Sequence, residues 1–579
     1  MWRSPAFFQE ILNQQGLVGK LYDAIEKDDL SDAVIIAMDI LKKTNNMPPL
    51  VKEAKCKLKS NSHRQQGNKA FKSNKFQNAL EWYNKALMYA PKGSEELVLG
   101  YSNRSALLSK CKMFQACLKD VSTCFELGYP PQISDKLANR RSEATKNVWI
   151  ERMAMEMRFC EFSEDYLEFR ERRNPQITCA SIDVGIIKES HVPKVVAVRD
   201  VKVGKLIAIE KAFTSQLDRK LLYSACYYCH KMSLNLIPCE GCTKALFCSA
   251  DCRRTCMEEY HSFECPIIEI FDEISSIPVS KLAVITAIKL RKKFKSWEEF
   301  NEATKTVGLK RMKKSEINEI FNSENKFSLL NFKDDAIFTY GMIYNATFGC
   351  AIVVHYLNMA KSFFPTRATE KAAAVCGFSR LLMYYAVHLI QTQISSTVSV
   401  MAHGKTEFCE VANFGVFPFT GKLKGACNPN VLVVGLNKEV ALITIQPLKQ
   451  GTELTIAYLG HWLDNNIENG SRLRNMFTLY NTVCACAVCN GDWKLLRNRA
   501  RPTETHLRAF RKLNVSEAIE NYCSSDIEHI YPKCCRALAF LHDLPFSNQY
   551  IDVYKLFRKC LLDIQDQYSS NIMLDGTND

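Results

Sequence analysis

Seven cysteines and one histidine recur in pairs near the middle of this 579-residue chain. Their spacing is C-x2-C-x9-C-x2-C-x5-C-x3-C-x8-H-x3-C, and the residues are Cys226, Cys229, Cys239, Cys242, Cys248, Cys252, His261 and Cys265. Zinc takes four thiolate or imidazole ligands in a tetrahedron, and a C-x2-C pair presents two thiolates to one ion. Eight ligands in four pairs therefore predict two zinc ions. A run of ordinary buried cysteines is the weaker alternative, because it does not explain four pairs at ligand spacing.

Alternating pairs predict an interleaved arrangement of the two ions. The first set is Cys226, Cys229, Cys248 and Cys252, and the second is Cys239, Cys242, His261 and Cys265. Because this segment is short and has little apolar core, we expect the metal ions to hold it folded. The spacing, with FCSADC in its middle, resembles the MYND zinc finger. That family forms a peptide groove with a Gln and a Trp that are missing here between Cys252 and His261, so the resemblance favours zinc binding over peptide binding.

Five later segments resemble, in order and spacing, the SET and post-SET segments of the SET and MYND domain methyltransferases. They are GVFP (Gly415–Pro418), ACNPN (Ala426–Asn430), GTELTIAY (Gly451–Tyr458), RLRNMFTLY (Arg472–Tyr480) and CACAVC (Cys484–Cys489). The resemblance covers about residues 165 to 579. It implies a protein-lysine N-methyltransferase that uses S-adenosylmethionine and acts on protein substrates such as histone or chaperone lysines. It also implies a third zinc ion, bound by Cys427, Cys484, Cys486 and Cys489.

Methyl transfer requires that a sulfonium methyl and a neutral lysine amine be held in line and shielded from water. The resemblance gives Tyr458 the catalytic role, since a tyrosine hydroxyl at the end of a narrow channel orients the amine. The alternative is a tyrosine packed at the end of a strand. The resemblance assigns cofactor binding to Lys424, Gly425 and Tyr458.

The cofactor pocket departs from the family pattern at three places. Val192 and Lys194 occupy the positions of a Gly-x-Gly turn, Lys424 begins the aligned Asn-His-Ser run, and Thr482 replaces a channel aromatic. A lysine near a sulfonium is unfavourable where the dielectric constant is low. The sequence therefore predicts either a methyltransferase or a catalytically silent adaptor.

The N-terminal segment repeats a helix-pair pattern. The first unit, RQQGNKAFKSNKFQNALEWYNKALMYAP (Arg64–Pro91), places small and bulky residues as a tetratricopeptide repeat does. A second unit follows, a third begins near Ser134, and the helices before the first unit are expected to cap the stack.

Five polar residues of these repeats match the spacing of a carboxylate clamp, a set of side chains that binds an acidic chaperone C-terminal tail. They are Arg64, Asn68, Asn103, Lys136 and Arg140. Their amide and cationic donors could together satisfy a terminal carboxylate and the acidic side chain before it. Ordinary surface charge is the alternative.

Composition bounds these predictions. The chain is 47% hydrophobic with 25 cysteines and a net charge of +14, as expected of a folded protein with free thiols and metal ligands in a reducing compartment. The basic runs at Lys289–Lys295 and Lys310–Lys314 lack interleaved aromatics, so a solvated helix face is favoured over nucleic-acid binding. No membrane span is expected, and the predicted location is cytoplasmic and nuclear.

The predicted fold class is α+β multidomain: a split β-rich SET domain with an inserted finger, flanked by helical regions. The predicted segments are a repeat domain (1–150), the first part of the SET domain (165–225), the finger (226–265), a helical insert (266–400), the SET core (401–460), a post-SET zinc segment (461–493) and a helical C-terminal domain (494–579).

Overall fold

The computed structural model describes most of the chain. The described residues are 17–156, 172–187, 193–275, 280–305, 307, 325–330, 340–360, 363–402, 405–457, 473–474, 484–490, 502–512, 514, 517–518, 522–523, 526–544 and 547–569. Tyr458, Val192 and Thr482 lie outside them, so the structure describes neither the predicted catalytic residue nor the Thr482 departure, and of the two Gly-x-Gly positions it describes only Lys194.

Helices open the described chain. They are α1 (Val18–Glu26), α2 (Leu30–Lys43), α3 (Lys57–Lys72), α4 (Phe76–Tyr89), α5 (Glu95–Lys110), α6 (Phe114–Leu127) and α7 (Ser134–Glu156). From α3 to α7 each helix packs against the next, and α3 also packs against α5 and α5 against α7. This is the stacking expected of helical repeats, with α3, α5 and α7 forming one layer.

The first two helices do not cap that stack, so this expectation is wrong. Helix α2 packs instead against two helices of the insert, and its apolar face joins their core. The face is made of residues such as Leu30, Val34 and Leu41, all fully buried. An amphipathic helix signals that one face is buried, but the sequence does not say against which partner.

Twelve strands form five small sheets in the described residues. They are β1 (Val184–Ile187), β2 (Lys194–Ala197), β3 (Leu206–Lys211), β4 (Thr214–Leu217), β5 (Ile237–Pro238), β6 (Leu246–Phe247), β7 (Gln393–Ala402), β8 (Lys405–Val416), β9 (Lys424–Gly425), β10 (Val431–Leu436), β11 (Glu439–Thr444) and β12 (Thr455–Ile456). Strands β2 and β3 are neighbours in the chain but belong to different sheets: β2 pairs with β1, and β3 pairs with β11.

Strands from before and after the finger meet in the same sheets. The orders are β10-β11-β3 and β4-β8-β7, so the β-domain is assembled from segments about 200 residues apart in the chain. Its β-branched strands, such as Val431–Leu436, are almost continuously buried.

The remaining helices belong to the finger, the insert and the C-terminal region. They are α8 (Ala250–Cys256), α9 (Ile270–Glu273), α10 (Lys281–Lys292), α11 (Trp297–Thr304), α12 (Tyr340–Met359), α13 (Ala368–Thr392), α14 (Glu504–Lys512), α15 (Ile527–Leu541) and α16 (Asn548–Ser569). Helices α15 and α16 cover the face of β10 and β11. The predicted α+β multidomain class is confirmed.

One described helix, Ala368–Leu389, is long and apolar enough to cross a membrane. Yet 72% of its most apolar window is buried inside the protein, which is the burial of a core helix. Its neighbours are α2, α10, α11 and α12.

Candidate metal centres and methyl-transfer site

The finger presents its ligands from short, defined elements. The β5–β6 hairpin carries Cys239 at its turn, where the Cys239 amide donates to the Ala245 carbonyl. Helix α8 begins after Ser249, whose hydroxyl accepts a hydrogen bond from the Cys252 amide. This N-cap fixes the first helical turn, so Cys248 and Cys252 face the same point.

The first predicted metal set comes together as a four-sulfur cluster. The Sγ atoms of Cys229 and Cys248 lie 3.5 Å apart, as do those of Cys248 and Cys252. All four ligand atoms of the set, completed by Cys226, lie within 4.8 Å of one another. A zinc tetrahedron with bonds of about 2.3 Å has edges of roughly 3.8 Å, so the donor set fits zinc.

The second set combines three sulfurs with an imidazole. Cys239 Sγ lies 3.9 Å from Cys265 Sγ, and Cys242 Sγ lies 3.6 Å from His261 Nε2. On the other side of the ring, His261 Nδ1 lies 2.7 Å from a carboxylate oxygen of Glu264. The Glu264 carboxylate favours the tautomer with the proton on Nδ1, so the lone pair of Nε2 can bind a metal ion.

Glu264 was not predicted from the sequence, although it fixes the histidine ligand. It is fully buried and also accepts hydrogen bonds from the Tyr227 hydroxyl at 2.7 Å and Lys281 Nζ at 3.2 Å. The signal was available: a Glu three residues after a histidine lies on the same helical face.

The third set joins distant parts of the chain. Cys427 Sγ lies 3.3 Å from Cys489 Sγ and 3.9 Å from Cys484 Sγ, and the Cys427 amide donates to Cys486 Sγ at 3.5 Å. These four sulfurs form the cluster implied by the family resemblance. The fourth ligand comes from 57 residues before Cys484, so the cluster ties residues 484–489 to the β-domain.

In each cluster at least one cysteine has a lowered pKa, and in the first cluster Cys252 shares this property with Cys229. The neighbouring thiols, led by Cys226, donate hydrogen bonds that lower the pKa of Cys229. The pKa of Cys239 is lowered in the same way, chiefly by Cys242, and that of Cys486 chiefly by Cys427. The thiolate is the metal-binding form of cysteine, so these lowered pKa values suit metal ligands.

The segment that leads to Tyr458 is held by Asn430. Its side-chain amide donates to the Glu453 carbonyl at 2.9 Å, and its Oδ1 accepts from the Thr455 amide at 2.8 Å. The Thr455 hydroxyl in turn accepts from the Asn430 amide at 3.0 Å. Beside this contact β12 pairs in parallel with β9, so the ACNPN and GTELTIAY segments lie side by side.

Two of the predicted cofactor residues lie on β9. Lys424 is exposed and pairs with Glu453 at 3.0 Å, which neutralises the charge that would oppose a sulfonium. Gly425 is half-buried and pairs with Ile456 in the parallel ladder of β9 and β12. The structure thus places both residues on the strand that pairs with β12.

A buried acid and a buried base lie next to this segment, and neither was predicted. The Glu210 carboxylate accepts hydrogen bonds from the Phe419 and Thr420 amides, both at 2.7 Å, and burial raises its pKa. Lys422 Nζ donates to the Ser328 carbonyl at 2.7 Å, and burial lowers the pKa of Lys422 to about 7.

The clamp residues lie on one layer of the repeat helices. Asn68 is on α3, Asn103 is on α5, and Lys136 and Arg140 are on α7. Asn68 Oδ1 accepts from Asn103 Nδ2 at 2.7 Å and from the Tyr83 hydroxyl at 2.9 Å.

The cationic members of the clamp differ in how they are held. Arg140 donates to the Ser102 carbonyl at 2.9 Å and to the Ser105 hydroxyl at 2.8 Å, whereas Lys136 is exposed. Arg64 donates to Asn61 at 3.1 Å. The Nε atom of Arg64 is buried and has no hydrogen-bond partner among the described residues. The structure thus places all five residues on three stacked helices.

Comparisons with known proteins agree with this geometry. Residues 226–265 match the family model of the MYND finger. The chain is 22% identical over 547 residues to protein-lysine N-methyltransferase SMYD4 of Homo sapiens, an alignment that covers 74% of this chain. The SMYD4 of Danio rerio is 27% identical over 220 residues, or 35% of this chain. A SET and MYND domain-containing protein of Dictyostelium discoideum is 25% identical over 324 residues, or 52% of this chain and 58% of that protein.

The chain is similar to the SMYD4 proteins, and its residues 226–265 match a MYND finger. It spans 66% of the length of the Homo sapiens relative and 29% of the Danio rerio one. The finger of this SMYD4-like chain coincides with the first two metal sets, and its β-domain supplies part of the third.

Proposed function

We propose that this chain is a protein-lysine N-methyltransferase that uses S-adenosylmethionine and is stabilised by three zinc ions. The observation that carries the proposal is the hydrogen-bonded contact between Asn430 and Thr455. It aligns β9, where the cofactor residues lie, with the strand that runs directly into Tyr458. The printed names of the SMYD4 relatives support the same activity.

In this proposal each part of the chain has a definite task. S-adenosylmethionine supplies the methyl group that is transferred. Gly425 lets the cofactor approach the backbone, and Glu453 offsets the charge of Lys424 next to it. The Tyr458 hydroxyl orients the incoming lysine amine, and the cluster at Cys427 holds the post-SET segment over the site.

A methyl-transfer assay tests the proposal. The chain is incubated with tritiated S-adenosylmethionine and either histones or a chaperone, and labelled lysine is counted. Tyr458→Phe should lower the rate by about a hundredfold, since a positioned hydroxyl is lost. The matched control is Tyr129→Phe, in the loop that follows α6, which should leave the rate unchanged. No transfer by the wild-type chain to either substrate would count against the proposal.

A second function, binding of an acidic C-terminal tail by the repeat helices, is favoured by one observation. Asn68 Oδ1 is occupied by two donors, so the orientation of the amide is fixed and its Nδ2 hydrogens remain for a ligand. Lys136 supplies an exposed cation on the same layer. In this function the chain joins a chaperone to other proteins, with or without methyl transfer.

Fluorescence anisotropy tests this second function. A labelled peptide ending in Glu-Glu-Val-Asp should bind at least tenfold more tightly with a free C-terminal carboxylate than with an amidated one. Equal affinities for the free-acid and amidated peptides would show that the five residues are ordinary surface charges and not a carboxylate clamp.

A further inference from the structure

A cleft of about 740 Å³ lies between the finger, the insert and the β-domain, and its lining residues include no member of the metal sets or the clamp. Its walls come from β3, from the end of α10, and from the turn Met257–His261 of the finger. The basic run that begins at Lys289 lines it, and neither proposed function uses that run.

The deep wall of the cleft holds two partly desolvated cations. Lys289 pairs with Glu259 at 2.7 Å, and Lys292 donates to the Glu258 carbonyl. Burial lowers the pKa of both lysines, and Lys293 adds repulsion at Lys289. Glu259 also lies near the buried Lys438, so this one carboxylate interacts with the ammonium groups of both Lys289 and Lys438. The wall therefore has more positive charge than its own acids balance.

The mouth of the cleft adds two exposed cations. Lys211 ends β3 and Lys293 follows α10, and both line the cleft. Neither forms an ion pair with any residue in the described part of the chain. They are therefore available to an incoming anion.

The floor of the cleft is apolar. It includes Ile209, Ala212 and Phe213, all half-buried, together with the buried Cys179. The Phe213 ring lies 5.4 Å from Lys289 Nζ, so the floor and the cationic wall adjoin. Such a floor favours an apolar side chain, whereas the wall favours carboxylates.

We propose that this cleft is a docking site for an acidic segment of a partner protein, with one apolar side chain on the floor and carboxylates at Lys211 and Lys293. Two acids at the rim, Glu258 and Glu439, would repel the continuous phosphates of a nucleic acid. A peptide avoids this repulsion because its acidic side chains can be spaced around them. The site is independent of both proposed functions, since it lies outside the clamp and the cofactor pocket.

Binding of a short probe tests the proposal on the full chain. The probe is fluorescein-labelled Glu-Glu-Leu-Glu-Glu with a C-terminal amide, which lacks the carboxylate that the clamp requires. We expect saturable binding that weakens with added salt. Replacing the four Glu by Gln, or the Leu by Gly, should weaken binding at least fivefold. Failure of this probe would leave the methyl-transfer and clamp tests unaffected.

Charge reversal at the mouth gives the decisive comparison. Lys211→Glu/Lys293→Glu should weaken binding of the probe at least tenfold, and the milder Lys211→Gln/Lys293→Gln about threefold. The control Lys202→Glu/Lys555→Glu makes the same change of net charge at exposed residues elsewhere and should change affinity less than twofold.

Two outcomes would overturn the proposal. One is an equal effect of the mouth and control variants, which would show that binding follows net charge alone. The other is tighter binding of a 20-nucleotide single-stranded DNA that the mouth variant abolishes, which would make the cleft a nucleic-acid site. Circular dichroism of each variant confirms that the fold is intact.

Discussion

Arg104, in the repeat helices, donates a hydrogen bond of 2.7 Å to the backbone carbonyl of Leu236, in the finger. The same guanidinium binds both carboxylate oxygens of Asp120 at 2.7 Å and also donates to Asn84. Arg104 is 0% exposed, and Asn235 completes the contact by donating to Asp120 at 2.8 Å. The repeat helices and the finger are therefore joined through a buried, charged contact rather than by a linker.

Replacing Arg104 should destabilise both units together. Arg104→Met leaves the Asp120 carboxylate buried without its main partner, which costs about 3–5 kcal/mol of unfolding free energy. The double variant Arg104→Met/Asp120→Leu removes the stranded charge and should recover part of that loss. Urea denaturation followed by circular dichroism measures both. A loss below about 1 kcal/mol in the single variant would contradict the proposed role of the contact.

Metal content tests the three clusters. Purified wild-type chain should contain three zinc ions, as measured by inductively coupled plasma mass spectrometry. Cys239→Ser should lower the count to two and expose the finger to proteolysis, because metal supplies most of its folding free energy. Cys256→Ser is the matched control, since this buried thiol belongs to none of the metal sets, and it should retain three ions. A count of one or zero in the intact chain would refute the assignments.

Stability should depend on pH through Lys422. Its pKa is about 7 when folded and the ordinary value for lysine is 10.5, so between these values the unfolded chain binds more protons. Unfolding free energy should therefore rise with pH through this window and fall as pH drops toward 7. Lys422→Met removes the group, so wild type should gain on the order of 2 kcal/mol relative to this variant from pH 6 to pH 9.

Other titrating groups also change the stability with pH, so the effect of Lys422 is measured as the difference between wild type and Lys422→Met. Glu210 is the charged group that acts on it, and its own carboxyl is fully buried. Comparing wild type with Lys422→Met at each pH cancels the titration of the cysteines, which both chains share. Parallel stability curves for the two chains would show that Lys422 does not titrate in this range.

The clamp depends on the oriented amide of Asn68. Asn68→Ala should weaken binding of the free-acid Glu-Glu-Val-Asp peptide by about tenfold, because one charge-assisted hydrogen bond is lost. Gln77→Ala on α4, in the other layer of helices, is the control and should leave the affinity unchanged. Anisotropy titrations measure both variants, and equal weakening by the two would point to a general loss of the repeat fold.

Local patterns made the metal sets predictable, whereas long-range packing did not follow from the sequence. Pairs such as Cys226 and Cys229 lie three residues apart, so their spacing alone indicates shared coordination. The partner of α2 could not be found in this way, because an apolar helical face fits many surfaces. The sequence alone suggests that Arg104 is an exposed surface cation. Its burial is explained only by its packing against the finger in the structure.

The segment before Tyr458 was only partly predictable from the sequence. ACNPN and GTELTIAY were recognised by resemblance, but the sequence did not show that Asn430 bonds to Thr455. Glu210 and Lys422 were missed because isolated acidic and basic residues are usually exposed. Glu210 lies on β3 and is buried against Phe419 and Thr420, which are 209 and 210 residues later in the chain. Lys422 is buried against Ser328, 94 residues earlier.

Calorimetric titration of the full chain with S-adenosylmethionine tests the central claim most directly. A methyltransferase should bind one cofactor per chain with measurable heat. Lys424→Asn/Gly425→His, which restores the family residues, should bind at least as tightly. The absence of binding by the wild-type chain, with binding restored in this double variant, would contradict the proposed activity and leave the adaptor function.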